Sequence, residues 1–198
     1  MRIWFKMVII KKILFQLIAG CFMASIFSSC NLFGLDLQKD FEYEYSPVEL
    51  TMDMSAYAFI ESRKNMDMSL LYDAITLAGY QQEYEIDDRT FIILNNVAFT
   101  SYLKDNRYSG LQAMKVEDIK TLLNSYIVKG RYHSLDLTTT PVKVETMNPD
   151  AIMYLSLRPQ NNDAQNKFEV RINDVVNSGK VVSVVTSNLQ PTNGIMHV

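Results

Sequence analysis

The stretch TFIILNNVAF, Thr90–Phe99, decides the fold, because it predicts a buried strand that turns directly into a helix. Its first half, Phe91–Leu94, is a continuous apolar run, which is typical of a strand covered on both faces. Two asparagines then interrupt the run, and an asparagine side chain commonly accepts a hydrogen bond from the first turn of a helix. We therefore predict that Asn96 caps a helix that carries Phe99.

Two segments further along the chain predict additional strands. The segment LLNSYIVKGRY, Leu122–Tyr132, indicates the end of a helix that runs into a strand and a glycine turn. The segment TNGIMHV, Thr192–Val198, indicates a turn that leads into an apolar terminal strand of a hairpin. The dipeptide Asn193-Gly194 favours positive φ, so we predict a tight turn of that conformation before the last strand.

Helices are predicted upstream of the decisive stretch. Ser55 is placed to cap a short first helix. Apolar residues spaced i, i+3, i+4 and i+7 over Leu71–Ala78 predict a second helix with one buried face. Asp67 or Ser69 can cap the start of this second helix, and Gly79 supplies the left-handed residue that ends it.

The second half of the chain is dominated by short strand patterns. One more helix is predicted to begin near Val116, because the acidic residues that follow complement its dipole. Beyond it, turn clusters at Asn161–Asn166 and Ser178-Gly179 separate short apolar runs. The predicted strands are Val142–Thr146, Ala151–Leu157, Phe168–Ile172 and Lys180–Val185. The predicted helices cluster in the first half of the chain and the predicted strands in the second half. This order predicts an α+β fold in which helices cover a sandwich of sheets.

The order of these motifs resembles the fasciclin-like domain family. The resemblance covers roughly residues 50–198 and rests on LLYDAITLAG, then TFIILNNVAF, then LLNSYIVKG, then the terminal NGIMHV. It implies a wedge of two packed β-sheets with helices along one side. It also implies a cofactor-free adhesion or ligand-binding module. Fasciclin domains usually continue the last strand past the position of Val198, so a short last strand or a truncated reading frame is expected here.

The N-terminal segment predicts export. Lys11-Lys12 precede the apolar run Ile13–Phe27, and Ser28-Ser29 then precede Cys30. A charged start, an apolar middle and a small-residue site are typical of a secretory signal. The apolar run is short for a membrane-spanning helix, which needs roughly 20 residues. A cysteine at the cleavage point resembles bacterial lipoprotein signals, so Cys30 is the predicted lipidation site.

Two alternatives to this leader remain open. Cys21 follows a better small-residue box, but cleavage there would leave a short apolar core and an apolar mature N-terminus. An uncleaved anchor is the other alternative. The predicted organisation is a signal peptide over residues 1–29, a tether over 30–50 and the domain over 51–198. The predicted location is the outer membrane, with a lipid anchor, facing the cell surface.

Charge and cysteine content exclude several classes of protein. The leader holds four of the 19 basic residues and no acidic residue, so the rest of the chain has 15 basic and 22 acidic residues. That balance argues against a nucleic-acid partner, which requires clustered Lys and Arg. Both cysteines precede residue 31, so the body can form neither a disulfide framework nor a thiolate metal site.

The sequence lacks a recognisable catalytic pattern. His197 lies in an apolar strand and predicts a structural histidine, and His133 follows a glycine turn and predicts a surface residue. No phosphate loop or carboxylate pair stands out. We therefore expect a non-catalytic binding module without a cofactor, which contacts a glycan or a protein through loops and exposed tyrosines. The alternative is a structural accessory subunit of an outer-membrane glycan-uptake complex.

Overall fold

The computed structural model describes residues 50–159, 168–177 and 180–198. All of them belong to a compact unit that spans Val48–Val198. The predicted signal peptide and nearly all of the predicted tether lie outside the described residues, together with Cys21 and Cys30, so the lipidation site and the domain boundaries stay predictions. The predicted turn clusters Asn161–Asn166 and Ser178-Gly179 also fall outside them.

The helices lie in the first half of the described unit, as predicted. They are α1 Ala56–Ser62, α2 Ser69–Ala78, α3 Asn96–Asp105 and α4 Val116–Ser125. Short 3₁₀ turns occupy Gln81–Tyr84, Leu111–Ala113 and Ser134–Asp136.

The strands form two sheets. They are β1 Leu50–Thr51, β2 Arg89–Ile92, β3 Ile127–Lys129, β4 Val142–Val144, β5 Met153–Pro159, β6 Phe168–Ile172, β7 Val182–Ser183, β8 Leu189–Gln190 and β9 Gly194–His197. The first sheet has the order β1-β8-β9-β2-β3, and the second has the order β4-β5-β6-β7. The second sheet is antiparallel throughout, whereas β2 pairs in parallel with β9 and antiparallel with β3.

Strand β2 is covered on both faces, which confirms the prediction from its apolar run. Phe91 faces a core formed with the helices, where it lies with Ile127 and Met196 of the neighbouring strands. The next residue, Ile92, faces a second core, which it forms together with residues of the second sheet such as Leu155. Successive side chains of a strand point to opposite faces, so a strand buried between two cores must be apolar at every position.

These two cores define the architecture. The helices pack on one face of the first sheet, and the second sheet packs on its other face. The chain just after β4 also pairs with β3 through Val128 and Thr146, which joins the two sheets along one side. The result is an α+β wedge of two packed sheets with helices along one side, as the resemblance implied.

Two predicted helix caps are wrong, because the two consecutive asparagines exchange the expected roles. Asn95, rather than Asn96, caps α3 through Oδ1, which accepts a hydrogen bond from the Ala98 N–H at 2.9 Å. The Asn96 Oδ1 instead accepts from the Leu70 N–H at 3.0 Å. Asn96 therefore caps α2 from a distant part of the chain, where we expected Asp67 or Ser69. The Ser55 cap of α1 and the left-handed Gly79 after α2 are confirmed.

The predicted positive φ at Asn193-Gly194 is also wrong. Among the described glycines only Gly79 and Gly130 have positive φ. Gly194 begins β9, and a Cβ there would collide with the Arg89 carbonyl oxygen and lie 3.0 Å from Cε2 of Phe91. A glycine is required here because β2 and β9 approach closely. The terminal hairpin itself is confirmed, since β8 pairs antiparallel with β9.

Candidate functional site

A cleft opens where the second sheet meets the helices. It has a volume of about 930 Å³ and lies between α3, α4 and the strands β5 to β7. Its floor includes Ile92, Met153 and Ile172, which also belong to the core between the sheets. The cleft is therefore the open mouth of the wedge, where the inter-sheet core reaches the surface. Its size is within the range of small-molecule and peptide sites.

The rim of the cleft is aliphatic and exposed. Val97 at the start of α3 is 79% exposed, Ile152 before β5 is 62% exposed, and Val185 after β7 is 81% exposed. Scattered exposed apolar residues are ordinary on a protein surface, but a group of them around one concave site indicates contact with a partner. The rim therefore favours an apolar or protein ligand.

Three tyrosines line the helical wall of the cleft. Tyr102, Tyr108 and Tyr126 are all half-buried. Burial raises the pKa of Tyr102 and of Tyr126, so both hydroxyls are neutral at physiological pH. The Tyr108 hydroxyl donates a long hydrogen bond of 3.4 Å to Oδ2 of Asp118. Neutral hydroxyls above apolar rings can orient a ligand through hydrogen bonds while the rings contact its apolar parts.

One ion pair joins the two walls. Lys180 lies just before β7. Its Nζ is 2.9 Å from Oδ2 of Asp105 and donates a hydrogen bond to Oγ of Ser101 at 3.0 Å. Both charged side chains are mostly exposed, so the pair contributes little to stability. The pair does give the positive charge of Lys180 a negative counterpart within the cleft.

The two histidines lie away from the cleft and act structurally. The His197 ring is buried, and its Nε2 lies 2.9 Å from the Tyr132 carbonyl oxygen while the Asn188 N–H donates to Nδ1 at 3.4 Å. Because Nδ1 accepts, Nε2 carries the proton and donates to Tyr132. Burial lowers the pKa of His197 to about 4, so the ring is neutral. The prediction of a structural His197 is confirmed.

His133 stabilises a local turn of the backbone. Nδ1 of His133 accepts from the Leu135 N–H at 3.2 Å, and the Asp136 carboxylate accepts from the His133 N–H at 3.0 Å, which caps a 3₁₀ turn. Residues 50–159, 168–177 and 180–198 contain no group of three or more His, Cys, Asp or Glu side chains placed to hold a metal ion. No helix in the same ranges is long and apolar enough to cross a membrane.

The sequence did not predict the cleft, and the tyrosines differ in exposure from what we expected. We expected exposed tyrosines to make contacts, but every tyrosine in the described ranges is buried or half-buried. The exposed residues at the rim are aliphatic instead. A signal was present in the valine-rich run Val181–Val185, which is more apolar than a two-residue edge strand requires. Ser101 and Asp105, the partners of the adjacent Lys180, are distant from it in sequence, so their proximity could not be read from the chain.

Comparisons with known proteins agree with the fold described above. The model of the fasciclin domain family matches residues 66–198. A search of the curated proteins found no match. Fourteen chains of solved structures are similar to this chain. One is a pair of fasciclin domains from the insect cell adhesion molecule fasciclin I, with 18% identity and a TM-score of 0.43. The alignment covers 72% of this chain and 43% of that one, so this chain spans less than half of its length.

Proposed function

The chain belongs to the fasciclin domain family, whose members are generally adhesion or binding modules, and we propose that it is a membrane-tethered, non-catalytic binding protein. The observation that carries the proposal is the cleft, which combines an apolar floor, an exposed aliphatic rim and neutral tyrosine hydroxyls. Such a surface binds rather than reacts. Its ligand is a partner protein or a neutral glycan, because the acidic body repels polyanions at encounter.

A second candidate function is that of an accessory subunit beside an outer-membrane glycan-uptake complex. The specific observation in its favour is the aliphatic rim, since sugar sites typically present exposed aromatic rings and Val97, Ile152 and Val185 present none. A rim of this kind suits a protein surface better than a sugar. In this reading the cleft holds the module against its neighbour in the membrane.

Binding through the cleft is tested with two variants of the full chain that differ only in location. Val185→Glu places a charge on the cleft rim, whereas Val176→Glu makes the same change at a valine that is 90% exposed and outside the cleft. Both are measured on a glycan array and by co-purification from solubilised outer membranes. We expect Val185→Glu alone to lose the bound ligand, with no turnover of any ligand. Hydrolysis that disappears on changing one carboxylate would refute the proposal.

We also propose that the tether is a lipid attached to Cys30 and that the protein resides at the outer membrane, facing the cell surface. The support is the sequence pattern of a full apolar core and two serines before that cysteine. One acyl chain gives only marginal anchoring, whereas several chains anchor stably. Metabolic labelling with a fatty-acid analogue tests this proposal: Cys30→Ala should abolish labelling, and Cys21→Ala should keep it. The reverse pattern would assign the anchor to Cys21.

A further inference from the structure

The chain contains a single Asn-Gly pair, Asn193-Gly194, and such a pair can modify itself when the chain is unfolded. The backbone nitrogen of the glycine loses its proton and attacks Cγ of the asparagine. The Cγ–Nδ2 bond then breaks, Nδ2 leaves as ammonia, and a cyclic succinimide forms. Addition of water opens the ring to aspartate or isoaspartate. Glycine favours this attack, because it has no side chain to obstruct the approach and its backbone is the most permissive.

The fold holds the group that would be attacked. Oδ1 of Asn193 accepts from the Ala56 N–H at 2.9 Å, and Nδ2 donates to the carbonyls of Tyr84 at 2.9 Å and Ile86 at 3.3 Å. Attack makes the planar amide carbon tetrahedral and expels Nδ2, so these hydrogen bonds must break before the reaction can proceed. Asn193 is also only 3% exposed, which excludes the water that opens the ring.

The fold holds the attacking nitrogen as well. The Gly194 N–H donates to the Pro191 carbonyl at 3.3 Å, so the nitrogen keeps its proton. Gly194 is buried at the start of β9, where it pairs with Arg89 of β2. The two strands are so close there that even a Cβ would collide with the Arg89 carbonyl oxygen. The backbone therefore has no room to move towards Cγ while β9 is in place.

The products of the reaction do not fit the same site. An aspartate at position 193 has no N–H to donate, so its carboxylate would face the Tyr84 and Ile86 carbonyl oxygens that Nδ2 now contacts. A buried charge without a positive partner is strongly unfavourable. An isoaspartate also lengthens the backbone by one CH₂ group, which displaces the segment Gly194–His197 from its register with β2.

We propose that Asn193-Gly194 is a deamidation site that reacts only in the unfolded chain and whose products prevent the return to the native fold. The folded protein protects the site, because every reacting atom is held by the packing of β9 against β2 and α1. Unfolding releases both groups, and each period of unfolding then converts a fraction of the chains irreversibly. This inference goes beyond the proposed binding function and does not depend on the ligand of the cleft.

The first experiment compares deamidation in the folded and the unfolded full chain. The protein is incubated in detergent at mildly alkaline pH, with and without guanidinium chloride, and peptide mapping by mass spectrometry follows the loss of each amide. We expect Asn193 to react at least about 100-fold faster in denaturant, because a stable domain is unfolded for a far smaller fraction of the time. The exposed Asn65 is the internal control and should change less than about tenfold. A ratio below about 100-fold at Asn193 would overturn the proposal.

A variant distant from the site tests whether unfolding controls the reaction. Leu155→Ala opens a cavity in the core between the sheets and removes no contact of Asn193. The cavity raises the unfolded population, so deamidation at Asn193 without denaturant should accelerate at least about tenfold. An unchanged rate in a variant whose Tm has fallen would show that the folded protein reacts, and would overturn the proposal.

The second experiment tests whether modified chains refold. Wild-type chains are held in denaturant for increasing times and returned to native buffer, and the folded peak from size exclusion is mapped. We expect chains modified at position 193 to be at least about tenfold rarer in that peak than in the mixture before refolding.

Asn193→Asp introduces the same carboxylate from the start and should yield at least about tenfold less folded protein than wild type. Asn65→Asp, the same change at an exposed position, should fold normally. Modified chains that return fully to the folded peak, or a wild-type yield of folded Asn193→Asp, would overturn the proposal.

Discussion

Asn193 connects three parts of the fold, and its removal should be among the most damaging single substitutions away from the hydrophobic cores. Its Oδ1 accepts from the Ala56 N–H at 2.9 Å, at the start of α1. Its Nδ2 donates to the Tyr84 carbonyl at 2.9 Å and to the Ile86 carbonyl at 3.3 Å. The side chain is buried, so Asn193→Ala leaves these backbone groups without partners in the interior.

The magnitude follows from those contacts. The bonds to Ala56 and Tyr84 are buried, and each unsatisfied group costs about 1–3 kcal/mol. The bond to Ile86 is partly buried, so water can replace it at little cost. We expect a loss of about 4 kcal/mol in the free energy of unfolding. For a domain of this size that loss lowers Tm by about 8–16 °C.

The assay is thermal melting of the full chain followed by circular dichroism. Asn106→Ala is the control, because Asn106 is exposed and its side chain donates one hydrogen bond, to the Tyr102 carbonyl. We expect that variant to melt within about 3 °C of wild type, since it loses at most about 1 kcal/mol. Equal Tm values for the two variants would refute the reasoning that Asn193 ties α1 and the turn at Tyr84 to β9.

Three further predictions concern residues whose roles the structure specifies. Gly194→Val should destabilise the fold by at least about 2 kcal/mol, because its side chain would push β9 away from the Arg89 carbonyl, and a parental Tm would contradict this. The pKa of His197 is about 4 when folded and near 6.5 when unfolded, so the unfolded chain takes up the proton first as the pH falls. Stability should therefore be full above pH 6.5 and decrease by up to about 3 kcal/mol towards pH 4. His197→Gln should flatten that dependence in urea titrations. Asn96→Ala should cost about 1–2 kcal/mol by uncapping α2, and loss of amide protection at Leu70 in hydrogen exchange would verify it.

Local sequence patterns predicted the elements, and tertiary contacts determined where those predictions failed. The apolar run at Phe91–Leu94 is typical of a strand buried on both faces, and local sequence predicted that strand correctly. The roles of Asn95 and Asn96 could not be distinguished, because both are good caps and α2 competes for one of them. Tyr84 lies in the polar segment QQEYEIDD, Gln81–Asp88. It is nevertheless buried and stacks on Phe91 at 5.5 Å between ring centroids.

The candidate site was less predictable than the fold. Its walls include α3 and the chain around β7, which are far apart in sequence. The pairing of β7 with the rest of the second sheet brings the two walls together. The ion pair between Asp105 and Lys180 joins residues that no local pattern relates. The need for glycine at position 194 was predicted, but its cause was not. The dipeptide Asn193-Gly194 commonly forms turns, but here its glycine allows β9 to approach β2 closely.

The central position of β9 determines when the fold can be completed. Arg89 pairs with Gly194 and Ile92 with His197, so the inner strands of the first sheet join residues about one hundred positions apart. Such long-range pairing is slow, because the entropy of closing a long loop is lost before the contacts form. A chain synthesised from its N-terminus therefore leaves the β9-facing edge of β2 open until the segment Gly194–His197 arrives.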